Sequence, residues 1–351
     1  MSFKLAPHPL KGAFVSIFFK APFRGWGAVP VLAFFFGLWA ENAAAQPLRR
    51  YVFDRGLFGT EFRQIFYAPD DSTAQHVRRA VDTRMDSLNV VMSDYLDGSE
   101  INRLSATAGS GRWVAVSADL FDVLNRAVSI ARASDGLFDP TIGPLSQLWR
   151  RAVRRQIFPT KPELRKAHRL VDYRYIEFDA GQRKIRLKKP GMRLDVGGIG
   201  QGYANDEAMN VLQQLGIKSA LLDIGGDIRL SDPPPGERGW RILTGFRADT
   251  TTLFLSHVGI TASGATHRFL DHNGKRYSHL MNPRTGLGLL HHVQTTILAP
   301  DGTQADALTK VFSVAGIRKS RRLVKRFPGV TVWITEERNG KPLKWSSKKD
   351  L

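Results

Sequence analysis

The chain has 351 residues, of which 42% are hydrophobic and 24% are charged, and it contains no cysteine. These proportions are typical of a folded globular protein, and they exclude a disordered chain, a collagen-like repeat and a disulfide-stapled mini-protein. The lack of cysteine excludes thiolate zinc sites, iron–sulfur clusters and cysteine nucleophiles. A net charge of +19 predicts a partner that carries negative charge.

The first 45 residues have the layout of a secretory signal peptide. Basic residues precede an apolar run of 14 residues, Trp26–Trp39, and the small residues Ala43–Ala45 follow. The run is shorter than the roughly 20 residues that a membrane-spanning helix needs. We expect cleavage after Ala45 and export to the periplasm, with an uncleaved anchor in the inner membrane as the alternative.

Most of the basic residues lie outside this segment, in dense runs such as Arg150–Arg155. In an exported protein, nucleic acid is not an expected partner. A phosphate-bearing small molecule fits the charge better, and so does an anionic membrane surface. A solvated basic face is the alternative explanation of these runs.

Hydrophobic periodicity predicts the elements of the remaining chain, 46–351, in order. The predicted helices are Ser72–Met92, Ser117–Ala133, Asn205–Leu215, Asp306–Ala315 and Lys319–Phe327. The predicted strands are Thr60–Tyr67, Tyr173–Phe178, Lys184–Leu187, Ser219–Ile224, Trp240–Thr244, Leu253–His257, Val293–Leu298 and, as the last, Val330–Thr335. Since helices and strands interleave without strict alternation, we expect an α+β fold, built as one compact domain or as two tightly packed lobes.

The segment from Leu194 to Ala204, LDVGGIGQGYA, carries the strongest signal for chemistry. Glycines between a strand and a helix let backbone N–H groups approach an anion, and the helix N-terminus adds positive potential. The spacing does not fit the dinucleotide motif of a Rossmann fold. Tight packing of a strand against a helix is the alternative. A second glycine turn, Asp223–Asp227, is typical of a hairpin connection.

Two further segments carry polar residues suited to chemistry. In Ser278–Gly286, His279 could move a proton near neutral pH and Arg284 could bind a phosphate, although a polar surface loop is the simpler explanation. Asp306 falls in the first turn of a predicted helix, where a carboxylate stabilises the helix end. One carboxylate does not make a magnesium site, but Mg²⁺ bound to a phosphate ligand often takes only one or two.

In their order along the chain, these segments resemble the FAD:protein FMN transferase family of bacterial envelopes, from about Phe58 to Gly316. The matching segments are Phe58–Thr60, Met92–Ile101, Gly136–Leu145, Asp195–Ala204, Asp223–Asp227, Ser263–Gly264 and His279–Gly286. The resemblance implies an enzyme that cleaves the pyrophosphate of FAD and attaches FMN to a Thr or Ser hydroxyl of a periplasmic or membrane redox protein, releasing AMP.

The resemblance also implies the residues of the site. Those implied for FAD binding are Phe58, Tyr95, Ser99, Asp139, Pro140, Thr141, Asp195, Gly198, Gly200, Gln201, Gly226, Asp227, Ser263, Gly264, Arg284 and Thr285. Tyr95 corresponds to the aromatic residue that lies against the flavin. Catalytic roles are implied for His279 and Asp306, and Mg²⁺ ligands at Gly200, Asp306 and Thr309.

The chain departs from the family pattern at several polar positions. Asn282 replaces the usual Asp, Gln201 replaces a common Lys, and Lys310 stands where a Thr usually ligates the metal. Because Asp306 and Lys310 are four residues apart on a predicted helix, the ammonium can reach the carboxylate and replace Mg²⁺ in part, which gives Lys310 a catalytic role. Alternatively, Lys310 points to solvent, and Thr309 or water completes the metal shell.

The departures at Asn282 and Lys310 also leave a second function open. The chain could be a homologue that binds or hydrolyses FAD but has lost protein flavinylation.

Overall fold

The computed structural model describes residues 47–246, 249–264, 269–290, 292–338 and 340–348. The predicted signal peptide and its cleavage site lie outside these residues, so both remain predictions. Within the described ranges, no helix has the length and hydropathy of a membrane span.

The strands form one large antiparallel sheet and several short ribbons. The strands are β1 (Arg49–Leu57), β2 (Thr60–Ala68), β3 (Val114–Ala115), β4 (Ile176–Asp179), β5 (Lys184–Leu187), β6 (Ala220–Ile224), β7 (Asp227–Leu230), β8 (Trp240–Phe246), β9 (Asp249–Leu255), β10 (Gly259–Gly264), β11 (Phe269–His272), β12 (Lys275–Ser278), β13 (Met281–Asn282), β14 (Leu287–Gly288), β15 (Val293–Ala299), β16 (Thr331–Arg338) and β17 (Lys341–Ser346). The large sheet has the order β1-β2-β6-β7-β10-β15-β16-β17, and each neighbouring pair is antiparallel.

Helices pack on the large sheet and beside it. The helices are α1 (Asp71–Met92), α2 (Glu100–Ala106), α3 (Ala118–Ala133), α4 (Gly143–Arg155), α5 (Lys161–His168), α6 (Gly200–Gln214) and α7 (Gly302–Leu323). Helices α1, α6 and α7 contact the sheet, and α6 also packs against α1 and α7. The predicted α+β class is therefore confirmed, with helices on an antiparallel sheet in one compact unit.

The packing of α1 shows why its sequence folds this way. Apolar residues three or four positions apart, including Val77, Val81, Met85 and Leu88, are all at most 1% exposed and join the main core. The helix begins where Asp70 accepts a hydrogen bond from the N–H of Thr73 at 2.8 Å.

The structure differs from the predicted elements in some bounds, and it contains elements that were not predicted. Residues Tyr173–Tyr175 form a 3₁₀ turn rather than the start of a strand, because Asp172 caps that turn. Strand β17 follows the strand that was predicted to be the last. Helices α2, α4 and α5 were not predicted.

The largest correction concerns α7. The two predicted helices lie in α7 on either side of Gly316, where the backbone is not helical (φ +63°, ψ 170°), so the predicted break between them is confirmed. The first of them begins at Gly302 and not at Asp306. Asp301 caps it by accepting a hydrogen bond from the N–H of Gln304 at 2.7 Å. Asp306 therefore lies beyond the first turn and does not cap the helix, which leaves its carboxylate for another role.

Candidate active site

The glycine-rich segment enters α6 at Gly200, five residues earlier than the sequence predicted. A Cβ atom on Gly202 would lie 2.1 Å from the carbonyl oxygen of Gly302 and 2.8 Å from Cβ of Asp306. Only glycine allows α6 and α7 to approach this closely. Tight packing thus explains Gly202, but it is packing of helix on helix and not of strand on helix.

The crossing of α6 and α7 encloses an ion pair. Asp306 is fully buried, and its Oδ2 accepts a hydrogen bond from the N–H of Gly202 at 3.1 Å. Its Oδ1 accepts one from Nζ of Lys310, four residues along α7. The Lys310 side chain as a whole keeps 25% of its surface exposed, whereas the Asp306 side chain is fully buried.

Lys310 also borders the glycine-rich segment. Its Cγ and Cε atoms lie 3.6 and 3.8 Å from the position that a Cβ on Gly198 would occupy. This contact places the lysine beside the loop that leads into the N-terminus of α6. The positive charge of Lys310 and the N-terminus of α6 therefore both lie next to this loop.

Asp227 is the second carboxyl group of this site. It follows the predicted hairpin turn at Gly225–Gly226, and its side chain is buried. Burial and the nearby Asp306 carboxylate raise the pKa of Asp227 to about 7, against the opposing effect of the Lys310 charge. Burial alone would lower the pKa of Lys310, but Asp306 and Asp227 outweigh it and raise that pKa above its ordinary value.

Asp306 already has a cation beside it, the Lys310 ammonium. The hydroxyl of the buried Thr309 donates to the carbonyl oxygen of Asp306 at 2.7 Å, and both carboxylate oxygens of Asp306 already accept hydrogen bonds. No group of three or more His, Asp or Glu residues in the described parts of the chain could hold a metal. Lys310 thus neutralises the carboxylate that the resemblance implies for Mg²⁺.

A second charged cluster connects the glycine-rich segment to Tyr95. Arg150 on α4 donates to Asp94 at 2.5 Å and to Asp195 at 3.0 Å, and its guanidinium carbon lies 4.2 Å from the centre of the Tyr95 ring. Asp195 Oδ1 in turn accepts the N–H of Gly197 at 2.8 Å. Burial and the charge of Asp195 raise the pKa of Asp94, despite the pairing with Arg150.

Arg150 was not among the predicted site residues, because in the sequence it is one arginine of a basic run. Nothing in that run distinguishes Arg150 from its neighbours; only the folded chain brings it onto Tyr95. Since Tyr95 is 69% exposed, its ring is open to a stacking partner, as the resemblance implies for the flavin.

The segment Gly136–Leu145 supports the start of the glycine-rich segment. Asp139 accepts hydrogen bonds from the N–H of Thr141 at 2.8 Å and of Tyr173 at 2.9 Å, and burial raises its pKa. The carbonyl oxygen of Pro140 accepts the N–H of Asp195 at 2.8 Å. Asp139, Pro140 and Thr141 therefore hold main chain in place around Asp195.

The loop 278–286 is held mainly through its backbone. His279 is exposed between β12 and β13. The side chain of Asn282 accepts the N–H of Arg284 at 2.9 Å, and its carbonyl accepts the N–H of Gly286 at the same distance. Trp149 on α4 donates its indole N–H to the Gly286 carbonyl at 3.0 Å. Asn282 thus makes the turn that an Asp would make there.

The remaining predicted contacts lie at the ends of elements. Arg284 donates to the carbonyl of Asp135, so its guanidinium binds main chain here, and Thr285 is exposed beside it. The other positions are Phe58 in the turn between β1 and β2, Ser99 at the N-terminus of α2, Gln201 in the first turn of α6, Gly226 in the turn between β6 and β7, and Ser263 and Gly264 at the end of β10. Their contacts with FAD remain predictions.

Comparison with known proteins matches residues 58–334 to the ApbE family. The FAD:protein FMN transferase of Treponema pallidum is 30% identical over 305 residues, covering 81% of this chain and 83% of that protein. That of Haemophilus influenzae is 28% identical over 303 residues, covering 82% and 87%. The flavin transferase ApbE of Vibrio cholerae has the same fold, with a TM-score of 0.76 at 22% identity, over 86% of this chain and 98% of that one. The ApbE protein of Thermotoga maritima has a TM-score of 0.75 at 26% identity, over 84% of this chain and 97% of that one. The chain belongs to the ApbE family.

Proposed function

We propose that this protein transfers FMN from FAD to a protein and releases AMP. The observation that carries the proposal is the placement of Lys310 beside Gly198, where an ammonium group and the start of α6 face one loop. Such a loop binds phosphate oxygens through N–H groups and a cation. Relatives of this activity that are 28% and 30% identical over most of the chain support the same reaction here.

The proposed reaction is a phosphoryl transfer. A Thr or Ser hydroxyl oxygen of the acceptor attacks the phosphorus of the FMN half of FAD. The bond from that phosphorus to the bridging oxygen breaks, and AMP leaves with the oxygen. The pyrophosphate carries two negative charges, so positioning and charge neutralisation supply most of the rate enhancement.

The hydroxyl proton needs an acceptor, and we assign this role to His279. Its side chain is exposed on the loop 278–286, where an incoming protein could reach it. An imidazole titrates close to neutral pH and is suited to this transfer. Tyr95, with Arg150 on its ring, would stack on the flavin.

We further propose that the acceptor is a redox protein of the periplasm or its membrane. The signal-like segment 1–45 supports export. The exposed arginines Arg318, Arg321 and Arg322 near the end of α7 would attract anionic lipid. Sedimentation with vesicles containing anionic lipid tests this attraction: binding should fall as salt is raised, and binding that is insensitive to salt would contradict it.

The function is tested by incubating the purified protein with FAD and an acceptor that carries the target Thr, beside the same acceptor with Thr→Ala. We expect AMP in solution and flavin fluorescence on the Thr acceptor alone after denaturing electrophoresis. AMP without labelled acceptor would show FAD hydrolysis instead. Intact, bound FAD would show a binding protein.

A further inference from the structure

We propose that Lys310 takes the place of a divalent metal ion at the pyrophosphate of FAD, so that FAD binding and FMN transfer do not depend on Mg²⁺. This inference rests on the proposed function, because it concerns the cation of the same site.

The first support is the occupation of Asp306. Its two carboxylate oxygens are taken by the N–H of Gly202 and by the Lys310 ammonium, and its side chain is fully buried. A metal ion at Oδ1 of Asp306 would share that oxygen with the Lys310 ammonium, and the two positive charges would repel each other. The N–H of Gly202 is fixed by the close crossing of α6 and α7, and displaced Lys310 would remain as a positive charge near the metal.

The second support is the hydrogen-bonding capacity that Lys310 retains. An ammonium group has three N–H donors, and the bond to Asp306 uses one of them. A quarter of the side chain is exposed, and its methylene groups lie next to Gly198. The ammonium can therefore donate to a phosphate oxygen held by the glycine-rich segment while it stays paired with Asp306.

The third support is the preorganisation of the charge. Asp306 and Lys310 are one helical turn apart on α7, so the helix itself fixes their separation. Such a cation is present before FAD arrives and does not exchange with solvent as a bound Mg²⁺ does.

The inference is tested by measuring FAD affinity, from the quenching of flavin fluorescence, in EDTA and in Mg²⁺. For the wild-type protein we expect dissociation constants within about threefold of each other. Lys310→Thr should bind FAD about 10- to 100-fold more weakly in EDTA, the range of a charge-assisted hydrogen bond, and should regain affinity with Mg²⁺. Lys310→Met should be weakened under both conditions, and the exposed control on the same helix, Lys319→Met, should match wild type.

Binding of Mn²⁺, measured by the loss of its free EPR signal, provides a second readout that needs no catalysis. With FAD present, we expect Lys310→Thr to bind one Mn²⁺ and the wild-type protein to bind none tightly. Stoichiometric Mn²⁺ binding by the wild-type protein would overturn the inference. So would wild-type FAD affinity that is tenfold or more lower in EDTA than in Mg²⁺. If Lys310→Thr fails to fold, the double variant Asp306→Asn, Lys310→Met removes both members of the ion pair together, and it should bind FAD weakly in EDTA and Mg²⁺ alike.

These binding measurements also separate the two proposals. If FAD binds equally well in EDTA and Mg²⁺ but no AMP forms under either condition, the proposed function is wrong and only the part of the inference that concerns FAD binding stands. If AMP and labelled acceptor form only with Mg²⁺, the function stands and the inference is wrong.

Discussion

The crossing of α6 and α7 and the loop 278–286 are both polar in sequence but are held in opposite ways. At the crossing, a buried carboxylate is closed by a backbone N–H and an ammonium. In the loop, Asn282 and Trp149 hold the main chain, while His279 is exposed. The ammonium of Lys310, which would contact the pyrophosphate, is thus held by a buried carboxylate. His279, to which we assign proton transfer, lies on a loop that other residues hold in place.

The largest effect should come from the close approach at Gly202. Gly202→Ala places a methyl group 2.1 Å from the carbonyl oxygen of Gly302, so the helices must separate and the Asp306 pair must shift. We expect a loss of about 3 kcal/mol in the free energy of unfolding in urea.

The matched control is Gly56→Ala on β1, where no atom lies within 4 Å of the new methyl group and φ is not positive. That change should stay within about 0.5 kcal/mol of wild type. Equal stability of the two variants would contradict the described crossing.

A smaller effect should follow from the raised pKa of Asp227, about 7. Between its ordinary value near 4 and pH 7, the folded protein holds a proton that the unfolded chain releases, so this group destabilises the fold as pH rises through that window. Asp227→Asn has no such titration. Relative to wild type, the variant should therefore become more stable as pH rises: the difference in free energy of unfolding, variant minus wild type, should increase by about 2 kcal/mol from pH 5 to pH 7.5. A constant difference across this range would show that Asp227 titrates normally.

Arg150 offers a test of the bridge between the glycine-rich segment and Tyr95. Arg150→Met removes both ion pairs and the stack on the Tyr95 ring. We expect FAD affinity to fall about tenfold, equivalent to about 1.4 kcal/mol. Arg154→Met, at an exposed position of the same helix, should leave the affinity unchanged. Equal affinities for the two variants would remove Arg150 from the site.

The smallest effects are expected in the loop 278–286. Asn282→Ala removes the acceptor for the N–H of Arg284 and should cost about 1 kcal/mol in thermal or urea unfolding. Asn282→Asp keeps that acceptor and should stay within about 0.5 kcal/mol of wild type. If Asn282→Asp is the more damaging change, the turn is not what Asn282 provides.

Local sequence patterns predicted helix α1, which buries a single periodic face, and strand β2, which buries residues on both of its faces. Helix α1 and strand β2 were predicted to within one residue at each end. Helix α5 was missed because it is short and buries only Ala167. Helix α4 has an intact apolar face, which includes Leu145, Leu148 and Trp149, but its second half was interpreted only as a basic run. Asp306 was placed in the wrong turn because the polar start of α7 carries no apolar periodicity.

The site was predictable where its residues are close in sequence. The spacing of Asp306 and Lys310 predicted their contact, which the structure confirms. The role of Gly202 depends on a helix 100 residues away, and that of Arg150 depends on three segments meeting. No local pattern contains either relationship.

The most direct test of transfer by a fixed cation is the intact mass of an acceptor protein after incubation with FAD and this enzyme in EDTA. We predict that the acceptor gains the mass of FMN in EDTA as it does in Mg²⁺, and that with Lys310→Thr it gains this mass only in Mg²⁺. An acceptor that wild-type protein leaves unmodified in EDTA but labels once Mg²⁺ is added would contradict the central role of Lys310.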